Sequence, residues 1–152
     1  MMLAIGCDHG GLELKSTLIE AMRQRNVVIA DFGTDNGDSV DYPDFAEKVA
    51  GAVSRGEADC GVLICGTGIG MSIVANKFPG VRAALVTDEY MARMAKEHNN
   101  ANILVLGGRV LDAMSASRVV GVWLDATFEG GRHQRRLDKI ASIEADVRAG
   151  RI

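Results

Sequence analysis

Aromatic side chains make up only 5% of this 152-residue sequence, against 47% for hydrophobic residues as a whole. Any core must be filled by Val, Ile, Leu, Ala and Met, the usual composition of a parallel sheet covered by helices. Cysteine is sparser still. The three present, Cys7, Cys60 and Cys65, form no C-x-x-C pair, which argues against disulfides, structural zinc or a dithiol redox centre and for a reducing cytoplasm. Positive charge is not in excess, the formal net charge being −3, so neither nucleic acid nor a membrane surface is an expected partner. No apolar run reaches transmembrane length, and Asp8 and His9 interrupt the apolar start before it resembles a secretory signal. Linkers, repeats and low-complexity tracts are also missing. We expect a single domain over residues 1–152, long enough to bury roughly two thirds of its unfolded surface.

What is present alternates. Leu3-Ala4-Ile5 reads as a first strand within Met1 to Cys7, and Leu14, Leu18 and Met22 recur at four-residue steps on a helix to about Arg25. A second strand is predicted over Val27 to Ala30, a polar loop from Gly33 to Asp41, and a helix from Tyr42-Pro43-Asp44 to about Val53. Val62-Leu63-Ile64 is a third strand; Val81 to Val86 a fourth, followed by a helix over Glu89 to Glu97; Ile103 to Leu106 a fifth, with a helix to about Leu124. Thr127 to His133 then leads into a charged final helix, whose Leu137, Ile140, Ala141, Ile143 and Val147 form an apolar stripe. The pattern predicts a doubly wound, five-stranded parallel sheet, a Rossmann-like three-layer sandwich with an extra C-terminal helix. With no strand after it, that helix must lie on the body or on a second copy, and we favour the second copy.

The most informative stretch is Cys60 to Phe78. After the third strand, Gly66, Gly68 and Gly70 alternate, and Met71, Val74, Ala75 and Phe78 then follow at helical spacing. Neither frame of the dinucleotide fingerprint fits, because Met71 or Ile73 stands where a small residue is needed, and no run has the spacing of a nucleotide-hydrolase phosphate loop. A strand, glycine turn and helix N-terminus still make a cradle for negative charge. Cys65 and the Thr67 hydroxyl sit at its lip. A lone cysteine can be a small core hydrophobe or a nucleophile or base, and the helix N-terminus tips the reading towards a reactive thiolate. Cys7 and Cys60 lack that setting and read as packing.

In open parallel sheets ligands bind beyond the carboxyl ends of the strands. That rule gathers Asp8, His9, Cys65, Thr67, Asp88 and Arg109 along one edge. Asp8 and His9 also suit a helix start. His98, with Asn99, Asn100 and Asn102, can simply close a helix, or can bring an imidazole able to move a proton to the ligand edge. Arg132, His133, Arg135 and Arg136 crowd the positive end of a helix, which the dipole disfavours unless an anion is bound; we read a phosphate clamp there, with Arg109 a second candidate.

Seven motifs in order, Gly6-Cys7-Asp8-His9, Asp41-Tyr42-Pro43, Leu63 to Gly70, Ala75-Asn76-Lys77, His98-Asn99, Gly107-Gly108-Arg109 and Glu129 to Gln134, make the sequence similar to the type B ribose-5-phosphate isomerases. Their wider family includes galactose-6-phosphate isomerase subunits. The resemblance implies interconversion of ribose 5-phosphate and ribulose 5-phosphate through an enediolate, without metal or organic cofactor. It implies a homodimer with shared active sites that may pair into tetramers. By the family's pattern Cys65 is the base between C2 and C1 and His98 the acid that opens the sugar ring. Gly66, Thr67, Gly68, Ile69 and Gly70 hold the enediolate oxygens, and Asp8, His9 and Asn99 contact the sugar. Arg109, Arg132 and Arg136 hold the phosphate, with His133 nearby. Relatives that replace the cysteine carry a glutamate at the position of Met71; here the cysteine stands and the glutamate does not. The alternatives are an isomerase of a six-carbon sugar phosphate, or, in another class, a flavodoxin-like nucleotide or flavin module.

Overall fold

Apolar runs buried on both faces and helices with one apolar face leave few ways to close a core, and the chain takes the expected one. The computed structural model describes residues 1–152. Eleven elements follow in order: β1 (Met2–Cys7), α1 (Leu12–Gln24), β2 (Val28–Asp31), α2 (Tyr42–Ser54), β3 (Cys60–Cys65), α3 (Ile69–Ala75), β4 (Ala83–Leu85), α4 (Glu89–Glu97), β5 (Ile103–Gly107), α5 (Ala113–Asp125) and α6 (Arg132–Arg148). A 3-10 turn, His9–Gly11, joins β1 to α1. The strands pair in the order β2-β1-β3-β5-β4, every pair parallel. No helix is long and apolar enough to cross a membrane.

Side chains alternate across the sheet, as the two-residue period of a strand requires. Val62 and Ile64 of β3 pack with α1, α4 and α5, among them the buried Trp123. Leu63 and Cys65 pack on the other face with α2 and α3, against Val49, Met71 and Ala75. The sheet is thus wound on both sides. From β1 the chain moves one way to β2 and then back across to β3, so a crevice opens between the carboxyl ends of β1 and β3, where such sheets bind ligands.

Two elements are shorter than their apolar runs suggest. The helix expected to reach Phe78 ends at Ala75 because Asn76 turns its side chain onto the sheet: its Nδ2 donates to the Ala83 carbonyl and its Oδ1 accepts the Ala83 amide, each at 2.9 Å. Pro79 reinforces the stop by disfavouring helix at Phe78. The fourth strand, expected over Val81 to Val86, regularises only at Ala83–Leu85. At its start the Arg82 amide donates to the Asn102 side chain at 2.8 Å instead of to a ladder carbonyl. An edge strand has no second neighbour to enforce the pairing.

Site loops are pressed together. A Cβ on Gly108, just beyond β5, would lie 2.3 Å from the carbonyl oxygen of Gly10, just beyond β1. Gly108→Ala should therefore cost about 1–3 kcal/mol, the usual range for overpacking. The measurement is a urea melt, and an unchanged midpoint would show that the two loops part freely.

Candidate active site

At the carboxyl edge β1 delivers Asp8 and His9. Asp8 is buried, and its Oδ1 accepts the Gly10 amide at 2.9 Å, so the capping reading is correct as far as it goes. His9 is oriented by the 33–41 loop: its Nδ1 accepts the Val40 amide at 3.2 Å. A neutral ring bonded in this way carries its proton on Nε2, which is left as a donor.

Cys65 ends β3 and is 5% exposed. The Gly68 amide donates to its Sγ at 3.2 Å, a bond that fixes the sulfur against the glycine turn. Gly68 can turn back in this way because its φ is +81°, in the left-handed region. Thr67 Oγ1 accepts the Ile69 amide at 3.3 Å, which leaves the hydroxyl hydrogen free to donate outward. The amides of Gly66, Thr67, Gly70 and Met71 bond to no protein acceptor. With only seven residues in α3, those separate N–H groups, more than a long helix dipole, form the cradle. The Arg109 guanidinium lies over Gly66, its Nη1 3.6 Å from where a Cβ would stand. Burial pushes the Cys7 and Cys60 thiols up to about 11, in keeping with packing roles.

Tyr42 is a neighbour that sequence reasoning took as a helix start and part of a motif, without a place in the site. Its ring covers Gly70, 2.5 Å from a notional Cβ there. The signal was the pairing of an aromatic with a glycine that cannot be anything larger. Asp88, in contrast, is occupied as the cap of α4, accepting the Met91 amide at 2.7 Å.

The second group of residues lies elsewhere, which corrects the placement of His98 at the ligand edge. A helix that links parallel strands must return to the edge where the next strand starts. α4 does so, and His98 follows it just before β5. Cys65 pairs with Gly107 at the far end of β5, and Ile103 to Gly107 spans about 13 Å of strand. Around His98 the chain collects Asn99, Arg132, His133 and Arg136. The His98 and His133 rings stack with centroids 4.1 Å apart and planes at 11°. His133 is 4% exposed, so the clamp expected from this basic run loses one of its members to the interior. Its Nε2 lies 3.4 Å from both Glu129 Oε2 and Arg132 Nε. Arg132 and Arg136 remain exposed on the first turns of α6. Within one chain, Arg109 belongs to the Cys65 group and the α6 arginines to the His98 group.

His98, Glu129 and His133 place ligand-type atoms within 4.8 Å of one another. Positive charge from Arg132 and Arg136 bears on the same ring, which makes the cluster a poor cation site and a good anion site. The protonation of His133 is held below its ordinary range by burial first, then by His98 and Arg132, with Glu129 opposing and Arg136 adding. The unfolded chain takes up that proton near pH 6.5 and the folded chain does not, so stability present above about 6.5 is lost as pH falls. We expect Tm to drop more steeply from about pH 7 to about pH 5.5 in the wild type than in His133→Phe. Parallel slopes in thermal melts would contradict this.

The Ribose/Galactose Isomerase family profile matches residues 3–140. A structure of ribose-5-phosphate isomerase B from Clostridium thermocellum superposes with a TM-score of 0.95 at 53% identity, covering 97% of this chain and 99% of that one. The Mycoplasma genitalium enzyme, solved with bound ribulose 5-phosphate, gives a TM-score of 0.92 at 44% identity, over 95% of this chain and 97% of its own. Ribose-5-phosphate isomerase B of Escherichia coli is 46% identical over 142 residues, 93% of this chain and 95% of that protein. The agreement extends from the first strand into the last helix and takes in both groups of polar residues: this chain belongs to the ribose/galactose isomerase family.

Proposed function

We propose that the protein interconverts ribose 5-phosphate and ribulose 5-phosphate at a site built by two copies of the chain. One subunit supplies Asp8, His9, Cys65, the Gly66 to Gly70 loop and Arg109. The other supplies His98, Asn99, Arg132 and Arg136. The observation that carries this reading is the Cys65 sulfur, held by the Gly68 amide at 3.2 Å beside a loop of unused N–H donors.

Each step has a residue to perform it. His98 protonates the ring oxygen as the C1–O4 bond breaks and the O1 proton passes to water, which yields the open aldehyde. Cys65 takes the proton from C2, and the electron pair moves through C1 onto O1 to make the enediolate. The thiol returns its proton to C1 while the hydroxyl proton passes from O2 to O1, leaving the ketone. Thr67, its oxygen already bonded to the Ile69 amide, offers its hydrogen to those oxygens. An amide aimed at such an oxyanion lowers a barrier by about 3 kcal/mol. Arginines at the far end of the sugar hold its carbons in register with the sulfur.

The outer face of α6 supports the second copy. Ile140, Ile143 and Val147 are 50%, 55% and 58% exposed, and they border a cleft of about 690 Å³ between α6 and the segment from Asn76 to Ala84. An apolar stripe of this kind beside the His98 group is what a chain leaves open for a partner. Three buried, unpaired cysteines suit a reducing compartment, and we place the protein in the cytoplasm on that ground.

Cys65→Ala should abolish turnover in a coupled assay run on pentose and hexose phosphates side by side, with sugar-phosphate binding still measurable by calorimetry. Near-normal turnover would reject the sulfur as base. Mixing Cys65→Ala with His98→Asn, assayed on the cyclic ribose 5-phosphate that needs both residues, tests the shared site. After free exchange half the dimers are mixed, and one of the two sites in each is intact, so activity should return to about a quarter of wild type. If both residues served one chain's own site, mixing would restore nothing.

A further inference from the structure

We propose that His133, braced by Glu129, is a positioning residue for His98: its ring sets the plane in which His98 meets the sugar held by the other subunit. The inference rests on His98 as the ring-opening acid. The resemblance groups His133 with the phosphate-binding arginines, but the geometry separates them. Arg132 and Arg136 are exposed, whereas the His133 ring is buried and lies flat on His98.

His98 needs such a support. It follows the last turn of α4 as the C-cap, and two residues later the chain turns through Asn100 at φ +43°. A histidine at a half-exposed helix end samples several rotamers, and a proton donor must present one. A parallel stack restrains both side-chain torsions of the ring and leaves its nitrogens at the rim.

The Glu129 to His133 run is constructed to deliver that stack. The Glu129 amide donates to the Glu97 carbonyl at 3.0 Å, which lays the run beside the end of α4. Gly130 and Gly131, at φ +65° and +54°, turn the chain back so that α6 starts with His133 over His98. The His133 amide then bonds to the Gly130 carbonyl at 2.9 Å. His133 Nε2 has Glu129 Oε2 on one side and Arg132 Nε on the other, each at 3.4 Å, which limits rotation of the His133 ring. Charge agrees with this division of labour. Two stacked imidazoles tolerate one positive charge far better than two, and His98 on α4, Arg132 and Arg136 on α6, and Glu129 before it are the charged or titratable groups that bear on His133. A buried His133 that stays neutral keeps a second positive charge out of the stack.

The test compares His133→Ala, which removes the stack, with His133→Phe, which keeps a flat ring without titration. Ribose 5-phosphate is mainly cyclic. Ribulose 5-phosphate, with its C5 hydroxyl esterified, stays open-chain and needs no ring opening. For His133→Ala we expect kcat on ribose 5-phosphate to fall about tenfold, with KM and the rate from ribulose 5-phosphate within about twofold of wild type. His133→Phe should recover at least about half of the lost rate. A rise in KM at unchanged kcat would make His133 a phosphate contact, and equal losses in both directions, or a Phe variant as poor as the Ala variant, would also overturn the proposal. If His133→Ala does not fold, His133→Gln takes its place. NOEs between His98 and the ring at position 133 in the resting protein check the stack without turnover, and their absence would overturn it as well. A wild-type protein that shows those NOEs but leaves both pentose phosphates unchanged would instead remove the assigned reaction, and the role of His133 with it, while the stack itself remained.

Discussion

Parallel pairing of β3 with β1 on one side and β5 on the other is the constraint on which this site depends. Because all three strands end at the same edge, the loops after them converge there, and each is forced to be small where it meets the next. Gly10 and Gly108 touch across the crevice, the Gly108 amide donates to the Cys65 carbonyl at 2.7 Å, and the Arg109 amide donates to that of Gly66 at 3.0 Å. The sulfur is therefore held by backbone on a buried strand end, with its own loop folded back onto it. Such rigidity is what an amide-lined oxyanion site requires, since donors that must reorganise during the reaction stabilise less charge.

The same parallel pairing has an opposite consequence for His98, the proposed ring-opening acid. Each crossover helix starts at the carboxyl edge and finishes at the amino edge, so a residue that closes α4 stands the length of a strand away from one that closes β3. No side-chain rotation spans that distance. A chain with Cys65 on one edge and His98 on the other either uses them for unrelated purposes or, as proposed, brings two copies together, and the bare stripe on α6 lies beside His98. Dimerisation in this reading is part of the chemistry, because burial of α6 and completion of the site come from the same contact.

Two features separate this glycine-rich turn from the nucleotide loops with which it shares residues. α3 is short, so the negative charge it receives is met mainly by individual N–H groups rather than by a long dipole. The first of its amides are divided between tasks, Gly68 on the sulfur and Ile69 on the threonine oxygen, with Gly66, Thr67, Gly70 and Met71 left for a ligand. A sugar enediolate with adjacent oxygens is smaller than a diphosphate and suits a cradle of this size. Tyr42, packed on Gly70, closes one side of it.

Sequence alone determined the layer order, the strand count, the element types and the position of the glycine turn between β3 and α3, because all of these follow from local periods and turn residues. Val62-Leu63-Ile64 reads as a strand covered on both faces, and the glycines that follow it as a tight turn leading into a helix. Helix and strand ends were less legible: Asn76 stops α3 through a bond to Ala83, and Asn102 shortens β4 through a bond to Arg82, both between residues distant in the chain. The stack of His133 on His98 lay beyond reach for the same reason, since it joins the end of one helix to the start of another. Tertiary structure alone decided that His98 and the α6 arginines stand away from the edge that holds Cys65 and Arg109. Side-chain type and spacing along a chain say what a residue can do; the direction in which a crossover helix returns says which neighbours it does it with.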